Sequence, residues 1–171
     1  MEQLQRGETR VPDWPAAAVA GFGAGAILMV LDILWSLALT GAGPWTSSRM
    51  ISALVLGPEI LQSQGFDLTA VTVALLAHYA FGIVGGLVLA AVSAPLRLDA
   101  SLTLAVLTGA GFGLLLYLVN FYGMLHFFPW FAEVRGWTTL LINLIFGIST
   151  AALYWKLERR GEARQGLQEA T

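Results

Sequence analysis

Residues 16–40 read AAAVAGFGAGAILMVLDILWSLALT, a run with one formal charge, Asp32. A helix rises ~1.5 Å per residue, so roughly 20 apolar residues cross a hydrocarbon layer about 30 Å thick. This run is long enough to span a bilayer, and three comparable runs follow it. The spans predicted are Ala16–Thr40, Thr69–Val92 (stopped by Pro95), Ser101–Leu125 and Gly136–Leu157. Charged residues bunch between them, in Met1–Asp13, Arg49–Asp67, Arg97–Asp99, Glu133–Arg135 and Lys156–Thr171.

Composition agrees with this reading. Of 171 residues, 57% are hydrophobic and 12% charged, against about 25% charged in an ordinary soluble domain. A net charge of −2 and the lack of any basic stripe argue against a nucleic-acid partner. The chain has 0 cysteines, which excludes disulfides, thiolate metal sites and dithiol redox chemistry. The mixed charges of the first fifteen residues, and the length of the run after them, suit an uncleaved signal anchor better than a cleavable leader. The runs do not alternate apolar with polar residues, and a membrane barrel needs at least about eight strands. The expected fold is all-α: an integral membrane bundle of four transmembrane helices.

Four crossings place both termini and the turn near Arg97 on one side. That side holds seven of the 9 basic residues, Arg6, Arg10, Arg97, Lys156, Arg159, Arg160 and Arg164, leaving Arg49 and Arg135 opposite. The asymmetry predicts cytoplasmic termini. The expected organisation is a cytoplasmic segment 1–15, a first hairpin 16–93 with an outer interfacial segment 41–68, a second hairpin 101–157 and a cytoplasmic tail 158–171. Within the outer segment, Met50, Ile51, Leu54 and Val55 fall at helical spacing among Ser48, Arg49 and Ser52, which fits a short amphipathic helix or an ordinary packed loop. The charges after Lys156 suggest a fourth helix that extends beyond the membrane and then frays.

The two halves share a pattern. Gly21–Phe22–Gly23–Ala24–Gly25 is answered by Gly109–Ala110–Gly111–Phe112–Gly113, and Asp32 by Asn120. Pro44–Trp45 with Arg49 is answered by Pro129–Trp130 with Arg135, and His78 and Phe81–Gly82 by Asn143 and Phe146–Gly147. A repeated two-helix unit keeps its orientation, so the hairpins are expected to be parallel-related, about an axis along the membrane normal. The simplest arrangement has a pseudo-twofold axis through the bundle centre. Gly21 with Gly25, Gly82 with Gly86, Gly109 with Gly113 and Gly147 with Ala151 place small residues four apart, one pair per helix. Helices in lipid associate through close packing at such residues, here within the chain in preference to a homodimer.

An aspartate at the middle of a membrane helix costs roughly 2.5–3.5 kcal/mol. Asp32 should lie slightly outward of that middle. With His78, Asn120 and Asn143 it is expected to form one inward-facing polar cluster, whose task is either to fix helix register or to relay protons. A haem held by His78 and His126 is excluded within one chain, because their depths differ by about 13 Å. No nucleophile–base pair, carboxylate pair, metal-ligand cluster or phosphate loop is apparent; no catalytic, metal or cofactor residue is assigned. Trp45, Arg49, Trp130 and Arg135 gather at the outer boundary as contacts for lipid or a partner.

Asn120–Phe121–Tyr122–Gly123, Phe128–Pro129–Trp130–Phe131, Arg135 and Phe146–Gly147 together resemble a group of small four-helix bacterial inner-membrane proteins of unassigned function, some associated with respiratory oxidases. The resemblance covers most of the membrane portion and brings no catalytic residues. It departs at Asn143, where that group often carries histidine. It implies an accessory, non-catalytic subunit in a bacterial inner membrane, within a respiratory electron-transfer or terminal oxidase complex. Its partners would be lipids and other integral membrane subunits. The alternative is a small proton-coupled transporter or channel using Asp32.

Overall fold

The computed structural model of the chain describes residues 10–35 and 45–169. Its helices are α1 (Trp14–Trp35), α2 (Thr46–Leu56), α3 (Leu68–Leu96), α4 (Leu102–Leu118) and α5 (Trp137–Glu169), and no strand occurs among the described residues. Residues 36–40 of the expected first span lie outside the described residues.

Three of the four long helices start on a side chain suited to the purpose. The first amides of a helix lack carbonyl partners, and a carboxylate or hydroxyl can accept from them. The Asp13 carboxylate accepts from the amide of Ala16 at 3.0 Å, Asp67 from Ala70 at 3.0 Å and Ser101 from Leu104 at 3.2 Å. α3 runs four residues beyond the expected end, with Pro95 in its last turn, and stops at Arg97 in the left-handed region (φ 54°). So late in the helix, a proline removes one amide bond without breaking the turns before it.

The third expected span is a continuous helical path with a change of pitch. α4 passes into a π turn at Val119–Gly123 and a 3-10 turn at Met124–His126. α5 has 33 residues, about 50 Å at 1.5 Å per residue. Its last third therefore outruns a hydrocarbon layer of about 30 Å. Lys156, Glu158, Arg159 and Arg160 mark where it leaves. α2 exists, and it buries Ser52 and Ala53 while Val55 and Leu56 stay exposed. Its buried face is thus made of small residues.

The hairpin interfaces repeat. In the first, α1 runs antiparallel to α3 with Gly21 against Gly82 and Gly25 against His78. In the second, α4 runs against α5 with Gly109 on Gly147 and Gly113 on Asn143, the positions the sequence repeat equates. A methyl at Gly86 would stand 2.9 Å from the Gly21 Cα, and one at Gly147 2.7 Å from the Gly113 nitrogen. No carbon fits at those distances. Glycine is what lets these backbones touch.

Between hairpins the equivalence ends. α5 lies along α1, where Ala17, Ala20, Ala90 and Tyr154 form a buried cluster and Ala24 and Thr150 are fully buried. A twofold axis would bring α3 and α4 together in the same way, yet they meet only sparsely. The glycine motifs supply the reason. Ala24 is matched in α4 by Phe112, whose ring stands with that of Phe146 against Gly85 of α3. Two aromatic rings hold this side apart, whereas small residues let α1 and α5 close.

Among the described residues four helices are long and apolar enough to cross a membrane: Trp14–Leu34, Leu68–Leu96, Leu102–His126 and Trp137–Gln168. Only 22–33% of their most apolar windows is buried within the fold. Leu76, Leu107, Leu115 and Leu141 are among the large side chains pointing outward. So much contiguous exposed apolar surface would not be tolerated in water. This is a multi-pass membrane protein whose apolar perimeter suits contact with lipid.

Candidate functional site

The four polar residues expected within the span do not join. The glycine contacts set the register: Gly25 is level with His78, so Asp32, seven residues on, is level with Val71, one turn inside the start of α3. Likewise Gly113 is level with Asn143, which carries Asn120 to the level of Gly136, just before α5 begins. Asp32 and Asn120 thus stand about 10 Å further along the bundle than His78 and Asn143. The single-cluster expectation is corrected on this ground.

Each residue has its own local arrangement. The His78 Nε2 lies 2.8 Å from the carbonyl oxygen of Gly25, so the ring donates from that nitrogen and ties α3 to α1. Its ring is edge-on to Tyr79, which stacks on Phe22 with centroids 4.4 Å apart. Asn143 donates from Nδ2 to the carbonyl of Thr139 in its own helix at 2.8 Å. Asn120 rides the π turn. Asp32 and Asn120 make no hydrogen bond among the described residues, and both are half-buried.

At the end of the bundle away from Arg10 and Glu158, the residues expected to meet lipid or a partner brace the connecting segments. Arg49 donates to the carbonyl of Gly65 at 3.1 Å and to the Thr46 hydroxyl at 3.4 Å. Trp45 packs edge-on to Phe66 at 5.0 Å. Arg135 lies over the ring of Tyr122, 4.9 Å from its centroid. Trp130 packs against Phe128 and Phe131, and its buried Nε1 has no partner among the described residues.

The most developed polar site lies at the opposite end, among the charges that flank the helices. Arg10 pairs through one guanidinium nitrogen with Asp99 and through another with Glu158, each at 3.1 Å. The Tyr154 hydroxyl donates to Glu158 at 3.2 Å and accepts from the amide of Asp13 at 3.3 Å. Asp99, Tyr154 and Glu158 are all buried. Just beyond, Arg159 donates to the carbonyl of Ala100 at 2.9 Å and covers the ring of Trp155. Glu158 stands a turn past Tyr154, beyond the apolar part of α5. Its carboxyl is raised above the usual range by burial first and by neighbouring Asp99 next, against the opposing pull of Arg10 and of the Tyr154 hydroxyl.

The sequence held one signal for this site, Tyr154 and Glu158 four apart on the emerging face of a helix. Their partners lie 141 and 59 or more residues away, and neither composition nor spacing brings those together. Among the described residues no group of three or more His, Cys, Asp or Glu is placed to hold a metal ion. Compared with protein families, with curated proteins and with solved structures, the chain finds no match.

Proposed function

We propose that the chain is a non-catalytic accessory subunit that packs within a larger bacterial inner-membrane complex, with both termini cytoplasmic. The observation that carries this reading is the dispersal of its intramembrane polar groups. His78 and Asn143 are committed to backbone carbonyls, and two helical turns separate them from Asp32 and Asn120. A relay needs polar groups within hydrogen-bonding reach of one another. Extensive apolar faces, by contrast, suit contact with lipid and neighbouring helices. The resemblance of the Asn120–Gly123 and Phe128–Phe131 segments to a group of small membrane proteins of unassigned function, some of them associated with respiratory oxidases, makes a respiratory electron-transfer or terminal oxidase assembly the first complex to test.

The alternative, a small proton-coupled transporter, has one observation in its favour: Asp32 is half-buried and makes no hydrogen bond among the described residues. Purification from native membranes in a gentle detergent, with mass spectrometry of co-migrating chains, separates the two. Co-migration with haem-bearing subunits supports the accessory reading. Recovery as a free chain that drives proton flux in liposomes, abolished by Asp32→Asn, overturns it.

A further inference from the structure

Three separated parts of the chain converge below the span: the segment before α1, the turn between α3 and α4, and the emerging end of α5. The Asp99 and Glu158 side chains, 2% and 8% exposed, face the Arg10 guanidinium, which reaches both. Two buried carboxylates close together resist ionising at once. Asp99 Oδ2 is buried and has no hydrogen-bond partner among the described residues, and the two carboxylates share the one Arg10 guanidinium. Two carboxyl groups can bond to each other only when one of them carries a proton.

We propose that Asp99 and Glu158 bind one exchangeable proton between them, and that this proton closes a clasp holding the segment before α1, through Arg10, onto the α3–α4 turn and α5. The proton supplies a donor where Asp99 Oδ2 has none and removes one of two negative charges that share a single guanidinium. Among the described residues, Arg10 is the cation that reaches both carboxylates. From the segment before α1 come Arg10 and Asp13, whose Oδ1 accepts from Ala16. The turn contributes Arg97 and Asp99; Arg97 is exposed and ends α3. From α5 come Tyr154, which donates to Glu158, and Lys156, Arg159 and Arg160. Arg159 is turned to the Ala100 carbonyl and the Trp155 ring, and Arg160 is exposed. The upward displacement of the Glu158 carboxyl agrees with the same arrangement.

The sign follows directly. A raised carboxyl keeps its proton, and the clasp stays closed, below the Glu158 value in the folded chain. As pH rises through that value, a second negative charge appears beside the first and the clasp weakens, by up to about tenfold per pH unit. This is a proton site facing the side of the termini, distinct in place from Asp32 and independent of the accessory-subunit reading.

The test uses the full chain in lipid nanodiscs, titrated between pH 4.5 and 9. Infrared spectroscopy follows the carbonyl stretch of a protonated carboxyl. Hydrogen exchange, corrected for intrinsic rates, follows the amides of Asp13 and Ala16. The expected result is a protonated-carboxyl band that persists above about pH 5.5, where ordinary carboxyls are ionised. The band should vanish over the same range in which amide protection falls. Glu158→Gln, permanently neutral, should remove the band and keep protection flat. Absence of such a band above pH 5.5, or wild-type protection that stays flat to pH 9, overturns the proposal. So does an unchanged pH slope in Glu158→Gln. If that variant does not fold, the wild-type titration decides alone.

Discussion

The imidazole of His78 donates its Nε2 hydrogen to the carbonyl of Gly25, 2.8 Å away and across the helix interface. A methyl at Gly25 would stand 3.7 Å from the ring, in ordinary contact with it. The pair is a register lock for the first hairpin. At the equivalent place in the second hairpin, Asn143 has turned back to its own helix, and the bare backbones of Gly113 and Asn143 touch instead.

His78→Ala should therefore loosen α1 on α3. Interhelical hydrogen bonds in membranes contribute about 0.6–2 kcal/mol, and a loss in that range is expected from steric trapping or denaturant titration in bicelles. Asn143→Ala, which removes only a bond within one helix, should cost less.

The glycines make a sharper contrast. Gly82→Ala puts a carbon 2.9 Å from the Gly21 carbonyl oxygen, whereas nothing lies within 4 Å of a methyl at Gly111. Overpacking of this kind costs about 1–3 kcal/mol. Gly111→Ala should leave the folded fraction unchanged or slightly raised, and Gly82→Ala should lower it; thermal unfolding in detergent measures both.

Much of this was legible beforehand, for a simple reason. Asp32 is the one formal charge in 16–40, and lipid leaves the backbone of such a run one way to satisfy its hydrogen bonds. The glycine spacing likewise showed which faces pack. The candidate site was not legible in the same way. Asp32 and His78 both lie in apolar runs, but their relative depth depends on the register of α1 against α3, which composition does not give. Nor does the charge pattern separate Glu158, buried under Arg10, from Arg160, exposed two residues later. The twofold expectation failed at one substitution of the repeat, Phe112 for Ala24, whose bulk matters only once α3 is placed beside it.

Arg10→Ala should strand the Asp99 and Glu158 carboxylates. Leaving buried groups without their partner costs about 1–3 kcal/mol, here in docking of the segment before α1. Amide exchange at Asp13 and Ala16 should accelerate. In the wild-type chain the same protection should be greatest at mildly acid pH and decline as pH rises through the raised Glu158 value.

The outward faces predict where lipid is met. The chain lacks cysteine, so single cysteines can be placed at will. Labels at Leu107 and Leu115, 63% and 56% exposed, should be quenched by lipid-borne nitroxides. A label at Ala105, 3% exposed, should be shielded.

The account depends above all on the small-residue faces being consumed inside one chain. Ala17 of α1 and Ala90 of α3 are fully buried in the same cluster, and cysteines at both positions can be oxidised in the membrane. Formation of an intrachain disulfide, read as a faster-migrating monomer that reduction reverses, is the predicted result. A covalent dimer as the main product would contradict it.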